Sequence, residues 1–370
     1  MKILFPFVGD SVGGSHHSII QLHKELNSNN ISSSILLHQK GPLSSFLDEI
    51  GVNYEFLPLD HFAGETPNIF LILRNVLKNS FKIRKYIKNN NITLVHGNDL
   101  RINLTWSFPT TISKVAYVWH QRSIMSSAFY WKIPKLFADH FIAISEYVYS
   151  TLPSNVHKSK KSLILNPFDT SSIYDKKKSR SLINNSYSIA EDDFVIGYIG
   201  RLIYWKNIDF LIKCFIELKK NNSKKIRLLI VGTGEFEFLS YLEDLVRKAD
   251  IGDLVIFGGF SSNPNQIISG IDLMVAPSNT EPFGRTLVEA MLQKTPVIAA
   301  RGGGHSEIIQ HSINGLLYNH NDIDDFMTQI NKHLDNVNDA SIINQAYMSS
   351  RSKYSAKEHV KNVLKIYKHL

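Results

Sequence analysis

Glu281 and Glu289 close the stretch EPFGRTLVE, with Pro282 and Gly284 near its start and Arg285 inside it. In one continuous helix both carboxylates would share a face, but a proline and a glycine so near the start disfavour that. Glu281 is therefore expected in a loop, with a helix beginning near Gly284 and Glu289 in its second turn. Two carboxylates then meet at a helix N-terminus, where unpaired N–H groups and the positive end of the dipole attract anions. Such a place suits a ligand that carries both hydroxyls and phosphates.

A second polar stretch, GRLIYWKN at 200–207, sets Arg201 and Lys206 five positions apart behind Gly200. Asn207 is a candidate N-cap for the helix IDFLIKCFIEL. Two cations at a strand-to-helix loop fit a diphosphate, arginine as a fork and lysine as a point charge; a plain solvated basic loop fits the same residues. GDSVGGS (9–15) lacks the glycine spacing of a dinucleotide fingerprint, although Gly13 and Gly14 permit close backbone approach. His120 follows the apolar run VAYVW, with Arg122 beside it, and can hydrogen-bond a sugar hydroxyl or meet developing charge. It is one of fifteen histidines, and His16, His17 and His96 compete for the same edge. The Asp-x-Asp of DIDD (322–325) reads as a helix cap rather than a metal site. No Cys/His cluster has metal-ligand spacing, so the metal expectation is none.

The elements that must position these residues alternate between apolar strand, glycine-bearing loop and amphipathic helix. KILFPFV, SSSILLH, ITLVHG, VAYVWH and HFIAIS read as strands of a first half, with a helix at 69–88. The pattern restarts with DDFVIGYIG, IRLLIVG, LVIFGG, LMVAPS and PVIAA. This alternation predicts α/β architecture, two doubly wound parallel sheets with helices on their faces. The interruption around Asn166–Asp169 divides the chain into 1–167, 168–350 and a terminal helical segment 351–370, with the tail turning helical from about Asp339. Ligands of such sheets bind beyond the carboxyl ends of the strands, and the cleft between two halves is the default site.

Composition sets limits. The 370 residues suffice for two domains, with 43% hydrophobic and 20% charged residues. A single cysteine, Cys214, lies in an amphipathic segment and reads as a buried thiol; it excludes an internal disulfide. MKILFPFV is too short for a signal peptide, and no apolar run reaches a membrane span, so a cytoplasmic protein, soluble or peripheral at the inner face of the membrane, is expected. Residues 1–167 hold 17 Lys+Arg against 10 Asp+Glu, and the remainder 24 against 23. A +7 first half points to an anionic partner or to a solvated basic face.

Taken in order, GRLIYWKN, EPFGRTLVEAM and PVIAARGGGHSEII resemble the large retaining family of GT-B glycosyltransferases that includes sucrose and glycogen synthases and bacterial mannosyl- and glucosyltransferases. The resemblance spans essentially the whole chain. It implies the GT-B fold and transfer of a hexosyl or N-acetylhexosaminyl unit from a nucleotide sugar to a hydroxyl acceptor, without a metal. By resemblance, Arg201 and Lys206 neutralise the diphosphate, Glu289 accepts the ribose hydroxyls and Glu281 binds the transferred sugar. The backbone of Phe283, Gly284 and Arg285, with Gly200, lies by the donor; Gly14 approaches phosphate or acceptor, and His120 touches the sugar. Asn166-Pro167 stands where many members have Asn-Gly, and Gln121 where an acidic residue often follows the histidine. The donor reads as a UDP-sugar ahead of GDP-mannose, and the acceptor as a glycan or lipid-linked glycan of bacterial surface polysaccharide. An epimerase-like enzyme and a non-catalytic nucleotide-sugar-binding protein are the alternatives.

LKNSFKIRKYIKNN (77–90) repeats Lys78, Lys82, Lys85 and Lys88 at helical steps, with Arg84 added. Phe81, Ile83, Tyr86 and Ile87 are its expected apolar surface. A basic amphipathic helix of this kind fits an anionic membrane surface or, equally, the outer cover of a sheet. Nucleic acid is not expected, since no recognised binding motif accompanies the charge.

Overall fold

The computed structural model describes residues 1–59, 61–62, 68–124, 136–221, 224–335 and 340–370. The chain forms two compact units, Met1–Asp169 with Tyr354–Leu370, and Thr170–Lys353. Asp339, the expected start of the helical tail, lies outside the described residues.

The first unit contains the strands β1 (Lys2–Phe7), β2 (Ser32–Leu37), β3 (Glu55–Phe56), β4 (Leu94–Gly97), β5 (Ala116–Gln121), β6 (His140–Ala143) and β7 (Lys161–Leu163). They pair in parallel in the order β3-β2-β1-β4-β5-β6-β7. Its helices are α1 (Gly14–Ser28), α2 (Pro42–Glu49), α3 (Ile69–Asn89), α4 (Leu100–Ile112) and the short α5 (Glu146–Ser150). The second unit holds α6 (Lys176–Tyr187), β8 (Phe194–Ile199), α7 (Ile208–Asn221), β9 (Ile226–Val231), α8 (Phe236–Lys248), β10 (Val255–Gly259), α9 (Pro264–Gly270), β11 (Leu273–Ala276), α10 (Arg285–Leu292), β12 (Val297–Ala300), α11 (His305–Ile308), β13 (Leu316–Tyr318), α12 (Ile323–Asp335) and α13 (Ala340–Lys353). Its sheet order is β10-β9-β8-β11-β12-β13, again parallel. The last helix, α14 (Ala356–Tyr367), belongs to the first unit and lays Val360, Val363, Ile366 and Tyr367 into its core.

The central strands are continuous apolar runs because parallel sheets are covered on both faces. Ile196, Leu228, Ile230, Leu273 and Val275 join one core, and Ile3, Phe5, Phe7, Ile35 and Val118 the other. Cys214 is fully buried in the second core, and burial pushes its thiol pKa up. Three strands escape the sequence reading. β3 and β7 are edge pieces of two and three residues with no apolar pattern, and β13 is three residues long. Backbone pairing to a neighbour makes them strands, a signal too short for periodicity to carry.

The outer surface of α3 also differs from the expectation. Ile83 and Ile87 are core residues, 0% and 3% exposed, and Tyr86 is half-buried with its hydroxyl donating to Glu55 Oε2. Of the expected apolar surface only Phe81 faces outward, at 77% exposure.

Candidate functional site

In the second unit, β8 ends at Ile199 and Gly200 N donates to Val231 O at 2.9 Å. Arg201 follows, exposed, with its carbonyl accepting from the buried Tyr198 hydroxyl at 2.9 Å. A single 3-10 turn, Tyr204–Lys206, then brings Lys206 inward. Its ammonium donates to Glu281 Oε2, across 75 positions of sequence, and lies 4.4 Å from the centre of the Trp205 ring. Both members of the Lys206–Glu281 pair are mostly buried, at 18% and 16% side-chain exposure. Asn207 stands directly before α7, but its amide spends its hydrogens on Pro277 O (3.3 Å) and Asn321 Oδ1 (2.9 Å), tying the loop to its neighbours.

Gly284 precedes α10 with φ of 105°, a left-handed conformation that glycine adopts freely and an L side chain resists. A Cβ there would come within 2.9 Å of the His305 ring. The neighbouring RGGGH loop grips the same turn: Gly304 N donates to Glu281 O at 2.8 Å, and a Cβ on Gly304 would lie 2.2 Å from Phe283 O. The two loops are thus in backbone contact, which explains a glycine in each. Phe283 is buried beneath the turn. One turn into α10, Glu289 Oε1 accepts from Arg285 Nη2 at 3.2 Å.

Glu281, Lys206, Gly284, Arg285 and Glu289 therefore gather around one helix start, with Gly200 and Arg201 at the end of the adjoining strand β8, which pairs with β11. The arrangement offers backbone donors, cations and carboxylate acceptors in one place, the set needed to hold phosphates and hydroxyls together. His305 and Ser278 are buried at the same turn, unpredicted from sequence. Burial pushes the His305 imidazole down to about 4, and Ser278 Oγ has no partner. A histidine inside GGGHSE was the available signal, but fifteen histidines dilute it. Of the DIDD aspartates, Asp322 caps its own helix, its Oδ1 accepting from Asp325 N at 2.9 Å, and Asp325 Oδ2 ties down the preceding loop by accepting from Asn319 N at 2.7 Å. Among the described residues no group of three or more His, Cys, Asp or Glu is placed to hold a metal.

In the first unit, Gly14 opens α1 and the loop before it is tethered by a bidentate Arg101–Asp10 pair at 2.7 and 2.9 Å. His120, next to last in β5, is fully buried. Its Nδ1 lies 3.0 Å from His96 Nε2 and 3.1 Å from Arg122 Nη2, while Nε2 has no partner. His96 in turn meets the Tyr367 hydroxyl, and Arg122 reaches Asn98 (3.0 Å) and Asn166. Burial first, and then the Arg122 charge, hold both imidazoles well below their usual pKa. Gln121 satisfies itself, accepting from Trp119 Nε1 at 2.8 Å and donating to Ser123 O at 2.9 Å. Lys78, Lys82, Arg84, Lys85 and Lys88 are all exposed on α3.

The family profile of glycosyl transferases group 1 matches residues 179–349. An uncharacterised glycosyltransferase of Methanocaldococcus jannaschii is 31% identical over 186 residues, 50% of this chain and 47% of the relative. A capsular polysaccharide biosynthesis glycosyltransferase of Staphylococcus aureus is 26% identical over 215 residues, 57% of this chain and 55% of the relative. The chain thus spans about half the length of these curated relatives. The crystal structure of Anabaena HepE in complex with UDP and glucose superposes with a TM-score of 0.84 at 21% identity, covering 100% of both chains. That likeness shows the fold, two Rossmann-like units of the GT-B kind. The matched segment contains the second sheet and the whole α10 site, so it is this part of the chain that is similar to the glycosyl transferases group 1 family.

Proposed function

We propose that this chain transfers a hexosyl or N-acetylhexosaminyl unit from a nucleotide sugar to a hydroxyl acceptor, with retained anomeric configuration and without a metal. The observation that carries the reading is the junction at α10, where Lys206 and Glu281 pair beside a helix start and Glu289 follows one turn on. On this reading Arg201 and Lys206 clamp the diphosphate, and the N–H groups of Phe283, Gly284 and Arg285 add fixed donors for charge that grows as the bond to the sugar breaks. Glu281, released from Lys206 by the arriving phosphate, binds sugar hydroxyls. Glu289 takes the ribose, since a carboxylate has oxygens enough for a second partner beside Arg285. The departing phosphate takes the acceptor's proton on the same face. In the first unit, the unpartnered Nε2 of His120 is the atom assigned to the sugar, and Gly14 to the phosphate or acceptor.

UDP-hexose or UDP-N-acetylhexosamine is the favoured donor and GDP-mannose the second, a choice supported by the UDP and glucose bound in HepE. The acceptor is a glycan or lipid-linked glycan of a bacterial surface polysaccharide made on the cytoplasmic side, supported by the capsular relative. The test is incubation with UDP- and GDP-sugars, following nucleotide release and product configuration with and without EDTA. Release that survives EDTA, stimulated by acceptor and giving an α-linkage from an α-donor, is expected. Interconversion of the donor sugar would make the protein an epimerase, and thermal stabilisation without release a binding protein. Activity lost in EDTA and restored by magnesium would overturn the metal-free clamp.

A further inference from the structure

The outward face of α3 carries an apolar stripe that no packing among the described residues of its unit explains. Phe70 is 79% exposed, Leu77 64% and Phe81 77%, with Leu73 at 41% beside them. Positions 70, 77 and 81 follow helical steps of seven and four, so the three side chains form one line along the helix. The inward face is fully used elsewhere: Val76, Ile83 and Ile87 are buried, and Asn75 and Asn79 donate to Phe62 O (3.3 Å) and His61 O (2.6 Å). Exposure of the stripe is therefore not a sign of a loosely attached helix. A soluble sheet-covering helix normally turns polar groups outward, and large rings standing in water mark a contact surface.

The charges around the stripe say what it contacts. In its 21 residues α3 holds Arg74, Lys78, Lys82, Arg84, Lys85 and Lys88 and no aspartate or glutamate. All six are exposed. Arg74 and Lys78 flank the stripe, and Lys85 and Lys88 continue its line beyond Phe81, so cations border the apolar side chains along the helix and follow them at its C-terminal end. We propose that this face of α3 docks the protein on an anionic lipid surface, with Phe70, Leu77 and Phe81 entering the headgroup boundary and the cations meeting lipid phosphates. A helix of this length lies along about 30 Å of surface. The rings contribute burial and each cation an electrostatic attraction, the two signals that together support reversible anchoring. The proposal does not depend on the transferase reading, because α3 and the α10 site lie in different units.

The test uses the full chain and sedimentation with vesicles of phosphatidylcholine, with and without phosphatidylglycerol. One variant joins Phe70→Ser, Leu77→Ser and Phe81→Ser; a second changes Lys78, Lys82, Lys85 and Lys88 to Ser. A control changes Lys357, Lys361, Lys365 and Lys368, exposed lysines of the C-terminal segment Tyr354–Leu370, to Ser. Binding to the anionic vesicles at low salt is expected, falling about tenfold or more in each α3 variant and at high salt, and changing less than about twofold in the control. In a Phe81→Trp variant, the new indole's emission shifts to the blue on anionic vesicles. The idea fails if wild type ignores anionic vesicles, if the ring variant binds as well as wild type, or if the control loses as much as the α3 variants. A concentration-dependent dimer abolished by the ring variant, without vesicle binding, would assign the face to a second copy instead.

Discussion

At the carboxyl end of β5 the polar side chains are folded away, whereas beyond β8 and β11 they stand partly open. His120 and His96 are fully buried, uncharged by burial and by the nearby Arg122, and bonded to one another. Lys206 and Glu281 keep some contact with water. The contrast follows from what each cluster can do with charge. A buried imidazole can shed its proton and remain a hydrogen-bonding ring, so it tolerates complete desolvation. An ammonium and a carboxylate cannot both be neutralised at little cost, so they stay as a pair at the rim of a helix start, and on the proposed reading they exchange one another for a charged ligand. The first unit holds neutral imidazoles around the Arg122 guanidinium, and the second a half-open ion pair.

The sharpest way to break this comparison is to remove the exchangeable charge. On the proposed reading, Lys206→Ala and Arg201→Ala each lower kcat by about 10²-fold, the usual loss when one preorganised charge partner of the transition state is deleted. Wild-type turnover by Lys206→Ala would remove the diphosphate assignment. The two carboxylates then divide the remaining work. Glu281→Gln should depress turnover well beyond its effect on nucleotide affinity, while Glu289→Gln should weaken UDP binding by about tenfold, as expected for a charged hydrogen bond exchanged for a neutral one. Calorimetric titration with UDP, set beside initial rates, separates the two. Equal losses of UDP affinity in both variants would show that sugar and ribose are not read separately.

Smaller effects compare the helix starts themselves. Gly284→Ala forces an L residue to φ near 105° and presses its Cβ on His305, so a loss of about 1–3 kcal/mol in stability is expected by denaturant unfolding. Gly13, before α1, has extended backbone, and its added Cβ would meet nothing nearer than His16 Nδ1 at 3.9 Å. Gly13→Ala gives up only glycine's N-cap advantage over alanine, without strain, and should cost less than about 1 kcal/mol. Similar losses at both positions would show that backbone strain does not distinguish the two sites.

The mildest test is acid. His16 and His38 are pushed down to about 4 and His359 to about 3, in each case first by burial, and they share the first unit with His96 and His120. A histidine whose folded pKa lies below its unfolded 6.5 contributes stability that is present above pH 6.5 and lost as pH falls toward the folded value. Asp99, whose carboxyl burial pushes up to about 6, works the other way in the same window, but it is one group against five. In the second unit His305 and His333, each near 4, are the counterparts with the largest shifts. Hydrogen exchange between about pH 7.5 and 5.5, corrected for intrinsic rates, should therefore show β1, β4 and β5 losing more protection than β8 and β9. Equal losses would deny the first unit its special dependence on neutral imidazoles.

Much of this organisation was present in residue order alone. Pro282 and Gly284 imposed a break before α10, and uninterrupted apolar runs between glycine-bearing loops called for parallel sheets, because both signals act within a few residues of backbone. The spacing of Lys78, Lys82, Lys85 and Lys88 marked α3 as a basic helix for the same local reason. Tertiary structure decided what local signals cannot reach. It paired Lys206 with Glu281 over 75 positions, sealed His120 behind His96 and Arg122, and drew β3, β7 and β13 into sheets through neighbours' backbones. It also turned Ile83 and Ile87 inward and left Phe70, Leu77 and Phe81 in water. Helical period gives the stripes of a helix but not which one meets the core; that choice belongs to the packing surface, which is assembled from residues distant in sequence.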